Sequence, residues 1–324
     1  MDNIELFKKL IDQKKTFDSE LEKIIIGQKK VCDFIFISLL CKGHILLEGV
    51  PGLGKTLIIK TISDILKLNF SRIQFTPDLM PSDITGTEII TQDKNTGERI
   101  FKFIKGPLFS NIVLADEINR TPPKTQAALL EAMEENSVTI GVETHKLDSP
   151  FFVLATQNPI EQEGTYPLPE AQLDRFMFNI VINYPSFEEE INVVKLNTST
   201  QNINLNQVID IEDLKQFQEL IMSVPIADNV IQYAVEFVHK TRPNYKNSPD
   251  ITKKYIDWGA GPRASSYLIL AAKAYAVLNG SPTPEIDHVK SVVKPILRHR
   301  IIPNFNSEAE GIKRDDILNE LLNS

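Results

Sequence analysis

Residues 44–56 contain the side chains of this chain best suited to bind an anion. The stretch is His44-Ile-Leu-Leu-Glu-Gly49-Val-Pro-Gly52-Leu-Gly54-Lys55-Thr56, which matches G-x-x-x-x-G-K-[ST], a phosphate-binding loop. Glycines let the backbone wrap around phosphates and direct its N–H groups at them. The Lys55 ammonium can reach the outer phosphates, and the Thr56 hydroxyl can ligate Mg²⁺. The residues predicted to surround the anion are Gly49, Val50, Pro51, Gly52, Leu53, Gly54, Lys55, Thr56 and Leu57.

A second group of reactive side chains is the carboxylate pair Asp116-Glu117, which follows the apolar run from Asn111 to Ala115. Such a run predicts a buried strand, and ligands of open α/β sheets bind at the carboxyl ends of strands. We expect Asp116 to hold Mg²⁺ together with Thr56, and Glu117 to polarise an attacking water as general base. The two groups together favour metal-assisted cleavage of a phosphoanhydride.

Three further polar residues each allow two interpretations. Asn158 could bond the attacking water or the terminal phosphate, or it could be an ordinary turn residue after a strand. Arg175 could support the terminal phosphate bound by a neighbouring subunit, or it could pair at the surface with Asp174. Arg263 begins a helix and could turn back toward the nucleotide, or it could stay in solvent.

The elements that must position these side chains alternate between strand and helix in the first half of the chain. Short apolar runs predict strands at 45–47, 70–75, 111–115, 151–155 and 178–182. Apolar residues at helical spacing predict helices between them, one of which begins at the phosphate loop. This alternation is typical of an α/β fold with a parallel sheet.

Two helices are predicted before the first strand, over Asn3–Glu22 and about Lys29–Cys41. Between them lie Ile24-Ile25-Ile26, Gly27 and Gln28. The apolar residues could line a pocket for adenine, in which case Ile26, Gly27 and Gln28 contact the nucleotide. Simple packing in the core explains them equally well.

Two stretches predict β-hairpin insertions. Thr87–Gly106 contains two strand-like runs around a turn at Asp93–Gly97, and Ser137–Leu147 contains two more around Gly141. Each is either a solvated hairpin or a projecting loop that takes part in the function of the protein.

Beyond residue 185 the prediction changes to helix alone, after a polar linker at 197–206. This change divides the chain into an α/β domain at residues 1–185 and a smaller all-α domain at residues 186–324.

The composition restricts the possible partners and compartments. The 324 residues are 42% hydrophobic and 24% charged, and a net charge of −8 disfavours general affinity for nucleic acid or anionic membranes. No apolar run approaches the ~20 residues that span a bilayer, and no signal-peptide pattern begins the chain. We expect no membrane insertion and a cytoplasmic location, with Cys32 and Cys41 as buried free thiols. His44 lies near Cys41, but a zinc site is not expected because a fourth ligand is lacking.

Together these motifs resemble those of AAA+ ATPases, and more narrowly those of the MoxR family. The resemblance extends from about Ile24 to about His299 and departs at Gly261, where the family usually has serine. The stretches that carry it are Gly43–Thr56, Ala115-Asp-Glu-Ile-Asn-Arg-Thr-Pro-Pro-Lys-Thr-Gln126, Ala155–Phe176 and Gly261-Pro-Arg263-Ala-Ser265.

The resemblance implies a five-stranded parallel sheet flanked by helices, a helical lid, and a role for each motif. Gly49–Thr56 corresponds to Walker A, Asp116-Glu117 to Walker B, Asn158 to sensor 1, Arg175 to the arginine finger and Arg263 to sensor 2. Of the two arginines, one is expected to act in its own chain and the other in the next. Family members bind ATP and Mg²⁺ in rings, commonly hexamers. They act as chaperone-like ATPases on client proteins, often with a von Willebrand factor A domain partner.

We therefore expect ATP hydrolysis coupled to remodelling or maturation of a protein client. A nucleic-acid motor is an alternative, because Lys94, Arg99, Lys102 and Lys105 lie on the first insertion, although the acidic chain argues against it. A motor subunit of the metal-chelatase type is another, and only its partner or substrate distinguishes it. A small-molecule kinase is less compatible, since nothing resembles an acceptor site.

Overall fold

The computed structural model describes residues 2–92, 99–141, 143–159, 164–198 and 203–324. The predicted turn at Asp93–Gly97 and the basic residue Lys94 lie outside the described residues.

The strands are β1 (Ile45–Glu48), β2 (Phe70–Gln74), β3 (Gly86–Gln92), β4 (Arg99–Lys105), β5 (Ile112–Asp116), β6 (Ser137–Ile140), β7 (Glu143–Lys146), β8 (Phe152–Gln157), β9 (Phe178–Val181), β10 (Ile256–Trp258) and β11 (Ile302–Pro303). The helices are α1 (Asn3–Glu22), α2 (Lys29–Leu40), α3 (Lys55–Ile65), α4 (Pro81–Thr85), α5 (Pro123–Glu135), α6 (Glu170–Leu173), α7 (Phe187–Asn197), α8 (Ile211–Ser223), α9 (Asp228–Lys240), α10 (Asp250–Tyr255), α11 (Pro262–Leu278), α12 (Ile286–Leu297), α13 (Phe305–Ala309) and α14 (Arg314–Asn323).

Five strands form one parallel sheet in the order β2-β5-β8-β1-β9. This confirms the predicted α/β core. Strand β1 lies between β8 and β9, and its three apolar residues are fully buried. Ile45 and Leu47 pack into the apolar cluster on one face of the sheet, and Leu46 packs into the cluster on the other. Both faces of the sheet are therefore covered at this strand, which is why β1 is a continuous apolar run.

The two insertions are antiparallel hairpins, as predicted. In the first, β3 pairs with β4 from Gly86 opposite Lys105 to Gln92 opposite Arg99. In the second, β6 pairs with β7. The hairpins contact each other, since the ring of Phe103 stacks on that of His145 with 4.3 Å between centroids.

The C-terminal part is mainly helical, as predicted, but it is not purely α. Strands β10 and β11 pair as a short antiparallel ribbon within it. The sequence pattern also missed the short helices α4, α10 and α13, because each has only five or six residues and too few turns to show a period.

The predicted boundary at 185/186 falls between β9 and α7. Helix α1 packs on α8, and residues from both sides of the boundary share one apolar cluster. The two-domain division stays a prediction. Among the described residues, every helix is too short or too polar to cross a membrane.

Candidate nucleotide and magnesium site

The phosphate-binding loop connects β1 to α3 at the carboxyl edge of the sheet. Gly52 and Gly54 have φ of +86° and +73°, a left-handed conformation that glycine adopts without strain. A Cβ on either glycine would meet no atom within 4 Å, so the backbone conformation and not crowding selects glycine here. Helix α3 begins at Lys55, directly after Gly54, so its N–H groups point into the loop.

A cavity of about 480 Å³ opens at this loop. It brings together the lysine, the hydroxyl, the two carboxylates and the asparagine that the sequence assigned to the phosphate, the metal and the water, which are Lys55, Thr56, Asp116, Glu117 and Asn158. The lining residues are Pro51, Gly52, Leu53, Gly54, Lys55, Thr56, Leu57, Arg72, Gln74, Asp116, Glu117 and Asn158. Gly49 and Val50 belong to the loop but do not line the cavity; Gly49 lies instead against Ile182.

The backbone of the phosphate-binding loop holds the side chain of Lys55. Its Nζ donates a hydrogen bond to the carbonyl oxygen of Gly49 at 2.5 Å. Partial burial lowers the pKa of Lys55, and the negative charges of Asp116 and Glu117 oppose that shift. The ammonium therefore lies between the loop and the carboxylates, where it can contact a phosphate without leaving the site.

Asp116 is fixed by two side chains from the neighbouring strands. Thr156 Oγ1 donates to Asp116 Oδ1 at 2.6 Å, and Arg72 donates to Oδ2 through Nη2 at 2.6 Å and Nε at 3.1 Å. The carboxylate already pairs with the positive charge of Arg72, and it faces the same cavity as the Thr56 hydroxyl. A carboxylate and a hydroxyl oxygen are suitable ligands for Mg²⁺, so these residues fit that ion.

Glu117 is held by polar groups at both its backbone and its side chain. Its φ of +58° is left-handed and unusual for glutamate, and its N–H donates to Thr156 Oγ1 at 2.9 Å. Gln74 Nε2 donates to Glu117 Oε2 at 2.8 Å, and Arg120 lies 3.2 Å from the same oxygen. The carboxylate is thus pre-oriented at the cavity wall, beside the buried Asn158.

A second cavity of about 180 Å³ adjoins the first and shares Gly52, Leu53, Gly54 and Leu57 with it. It is largely apolar. Its other lining residues are Ile24, Ile25, Ile26, Gln28, Ile58, Pro185, Val193, Leu196 and Asn197. The size and apolar lining suit a purine ring attached to phosphates in the first cavity.

The three isoleucines all line the second cavity and differ in burial. Ile25 is buried in the core, while Ile24 and Ile26 are half-buried. Their contact with adenine stays a prediction. Gln28 lines it as well, but Gly27 does not. Gly27 has φ of +70°, which favours glycine, and a Cβ there would lie 2.5 Å from Glu189 Oε1 on α7.

Arg175 and Arg263 lie together, and the structure does not place either of them among the residues that line the phosphate cavity. Arg175 Nη2 is 2.8 Å from Glu134 Oε2, and Arg263 Nη2 is 3.1 Å from Glu134 Oε1. We call Glu134, Arg175 and Arg263 the arginine cluster. Its members come from α5, the segment after α6, and α11.

These contacts correct one of the two interpretations of Arg175. Helix α6 ends at Leu173, so Arg175 lies in the turn beyond it. Asp174 is not the partner of Arg175. It accepts instead from Arg300 Nε at 2.7 Å, and its Oδ2 lies 3.5 Å from Arg263.

Two buried histidines anchor the backbone next to the cluster. His44 Nδ1 accepts from the N–H of Val153 at 3.0 Å, so its Nε2 carries the proton and donates to Met133 O at 3.2 Å. His299 Nε2 donates to Phe176 O at 2.9 Å. Burial lowers the pKa of His44 to about 4, and it also holds the pKa of His299 well below its ordinary value.

The residues that support the site were not predicted from the sequence. These are Arg72, Gln74, Arg120, Glu134 and Thr156. Arg72 and Gln74 alternate on β2, so both side chains point to one face, and Gln74 lies opposite Asp116 in the register. Two long polar residues, one on each side of the buried Ile73, were the available signal. Glu134 had none, because helix position alone does not reveal which loop the helix end meets.

Cys32 and Cys41 are buried free thiols, as predicted, and burial raises the pKa of both. In the part of the chain that the structure describes, no group of three or more His, Cys, Asp and Glu side chains could hold a metal ion of its own.

Two family models match the sequence. The model for the ATPase family associated with various cellular activities (AAA) matches residues 44–178, and that for the AAA lid domain matches residues 249–321.

Individual relatives are similar over nearly the whole length. The uncharacterised protein YeaC of Bacillus subtilis is 43% identical over 94% of this chain and 91% of its own. Chaperone MoxR1 of Mycobacterium tuberculosis is 42% identical over 94% and 79%. A crystal structure from Cytophaga hutchinsonii, described as that of a candidate ATPase, superposes with a TM-score of 0.91 at 43% identity and covers 98% of this chain and 96% of its own.

Proposed function

Because this chain belongs to the MoxR family of AAA+ ATPases and is an ATPase, we propose that it hydrolyses ATP in a ring, at cavities that a neighbouring protomer completes. The observation that carries this proposal is the position of the arginine cluster. The phosphate cavity has its lysine, carboxylates and asparagine from one chain, while the two predicted catalytic arginines lie at Glu134.

Phosphoryl transfer depends on orientation of the water and on neutralised charge. Lys55 and the N–H groups at the start of α3 would bind the outer phosphates. Glu117, pre-oriented by Gln74 and Arg120, would accept the proton of the attacking water, with Asn158 alongside. Thr56 and Asp116 would hold Mg²⁺, which supplies positive charge next to the phosphates.

The arginine cluster supplies the charge that this arrangement lacks. Arg175 and Arg263 share one carboxylate, so we assign both to the same neighbouring pocket. This changes the expectation that one arginine acts in its own chain. Charge from a second protomer makes hydrolysis depend on assembly, since an arginine finger contributes on the order of 10³-fold or more to the rate.

Mixing two inactive variants tests this assignment. Arg175→Ala removes an arginine but leaves its own pocket intact, and Lys55→Ala damages the pocket but leaves the cluster intact. Each alone should hydrolyse ATP about 10³-fold more slowly, and Arg175→Ala should still bind ATP with Mg²⁺ in calorimetry. In a mixture, each interface between an Arg175→Ala pocket and a Lys55→Ala cluster is complete, so hydrolysis should partly return.

Arg314→Ala is the matched control, since Arg314 is exposed at the start of α14 and outside the cluster. It should hydrolyse ATP at the normal rate. The proposal is wrong if Arg175→Ala alone hydrolyses ATP normally, or if the mixture stays inactive although both variants assemble.

The function of that hydrolysis, we propose, is the remodelling of a protein client. The relative named Chaperone MoxR1 supports it, as does the exposed apolar surface of the first hairpin. Ile90 and Phe101 lie opposite each other there and are 61% and 72% exposed, which suits contact with a protein. We propose a hexameric ring, a partner with a von Willebrand factor A domain, and a cytoplasmic location that keeps Cys32 and Cys41 reduced.

A nucleic-acid motor has weaker support. Arg99, Lys102 and Lys105 are exposed on β4, but they share the hairpin with exposed apolar residues. Phosphate contacts would need a continuous basic track. Stimulation of hydrolysis by DNA, lost as salt rises, would favour this alternative.

A further inference from the structure

Glu134, at the C-terminal end of α5, contacts both arginines of the cluster and lines neither nucleotide cavity. We propose that Glu134 is a positioning residue that makes Arg175 and Arg263 act as one unit on the phosphates of the adjoining protomer. This inference rests on the proposed function, since it concerns how the second protomer completes the site.

The charges explain why such a residue is needed. Two guanidinium groups repel each other, and Glu134 offers each of them a separate oxygen, Oε2 to Arg175 and Oε1 to Arg263. Asp174 also lies 3.5 Å from Arg263, but it is paired with a third guanidinium, that of Arg300. Two carboxylates therefore face three guanidinium groups, so the two arginines stay close together and the group keeps a net positive charge, which is what an incoming triphosphate requires.

The arginines come from different parts of the chain, and Glu134 joins them. Arg175 follows α6 in the α/β part, and Arg263 begins α11 in the helical part. Asp174 adds a second connection, from Arg263 to Arg300, whose guanidinium is almost completely buried and donates to Phe176 O. A change in the position of the helical part would therefore move Arg263 relative to Arg175 unless Glu134 holds them together.

The backbone next to Glu134 is held in place by a buried hydrogen bond. The carbonyl of the preceding residue, Met133, accepts the hydrogen bond from the buried His44. The end of α5 is thereby tied to the start of β1, at the edge of the sheet away from the phosphate loop. A carboxylate on a fixed helix end can define where two long and flexible side chains lie.

Glu134 could act in the opposite way, as a latch that masks the arginines. The exposure of the side chains favours positioning. Arg175 and Arg263 remain 30% and 39% exposed while paired, so both can contact an anion without leaving Glu134. A masking latch would bury them.

Steady-state kinetics on Glu134→Gln test the proposal. The variant keeps the size of the side chain and loses the charge, so the arginines should separate. We expect kcat to fall about tenfold while KM for ATP changes less than about twofold, because the ATP pocket of each chain is untouched. Glu134→Asp retains the charge and should recover part of kcat. Glu135→Gln is the matched control, since Glu135 is the next exposed residue of α5 and should leave kcat unchanged.

Mixed rings show on which side of the interface Glu134 acts. With Lys55→Ala protomers, which keep an intact cluster, Glu134→Gln should gain activity above the average of the two components. With Arg175→Ala protomers it should gain none, because both then lack a working cluster. A residue that merely stabilised the fold would not follow this pattern.

Three results would overturn the inference. They are an unchanged kcat in Glu134→Gln, a raised kcat, which would indicate a latch, and recovery of activity in the mixture with Arg175→Ala. If Arg175→Ala itself hydrolyses ATP normally, the proposed function fails first. If Arg175→Ala is inactive and Glu134→Gln is normal, only the role of Glu134 fails.

Discussion

The phosphate cavity and the arginine cluster use the same kinds of contact but depend on the chain in different ways. In the cavity, Asp116 and Glu117 are held by residues of the adjacent strands and by Arg120. Strand register and the segments that directly follow the strands bring these side chains together. In the cluster, Glu134 joins residues from the α/β and helical parts. The cavity can thus form within the α/β part alone, whereas the cluster needs the helical part to be docked.

Glu117→Gln should have the largest effect on hydrolysis, because it removes the base from the cavity and leaves the cluster intact. We expect turnover to fall about 10³-fold or more while ATP binding is retained. Phosphate release would measure the turnover, and calorimetry would measure the binding of ATP. The protein should also stay assembled with ATP, and a client should then remain bound. Turnover within tenfold of the wild type would show that Glu117 is not the base.

Thr156→Val should have an intermediate effect on hydrolysis. It changes the support of the two carboxylates in the phosphate cavity and leaves the arginine cluster intact. Thr156 is fully buried, and its hydroxyl joins Asp116 to the backbone of Glu117. Valine has the same shape but leaves both partners unsatisfied, so the free energy of unfolding should fall by about 1–3 kcal/mol. Turnover should fall about tenfold because the two carboxylates lose their alignment.

Urea denaturation and single-turnover rates would measure these changes. Thr156→Ser keeps the hydroxyl and should retain most of the turnover. A larger loss in the serine variant than in the valine variant would mean that the methyl group, and not the hydrogen bonds, matters at this position.

His44→Gln should have the smallest effect on hydrolysis at neutral pH. It tests the hydrogen bond by which His44 holds the end of α5 next to the arginine cluster. The folded pKa of His44 is about 4, below the ordinary value of 6.5. Between these two values the unfolded state binds a proton that the folded state does not, so stability falls as the pH falls. From pH 7 to pH 5 the wild type should lose about 2 kcal/mol more than His44→Gln.

Urea denaturation at the two pH values would measure this difference. The carboxylate of Glu20, whose pKa is lowered to about 2 chiefly by its hydrogen bond to Lys23, affects stability only below about pH 4.5 and so stays outside the range. Equal pH dependence in the two proteins would show that His44 is not the group that titrates.

The sequence predictions were correct where the residues concerned lie close together in the chain, and they failed where the contacts join distant parts of it. The phosphate loop, the carboxylate pair and the strands before them are each contained in a short stretch, and the structure has them where they were expected. The separation of Arg175 from Asp174 was not foreseen, because Arg300 and Glu134 compete for these side chains from elsewhere in the chain. The catalytic roles stay predictions until the variants are measured; they concern Lys55, Glu117, Asn158, Arg175 and Arg263.

By itself the sequence determined the family, the alternation of strands and helices, the phosphate loop and the carboxylate pair, because each of these follows from a pattern within a short stretch of chain. Only the tertiary structure decided which side chains support those residues and where the two arginines lie. Gln74 reaches Glu117 through the pairing of β2 with β5, and Arg263 reaches Glu134 across 129 residues of chain. Such contacts depend on the docking of whole elements, which no local spacing of residues encodes.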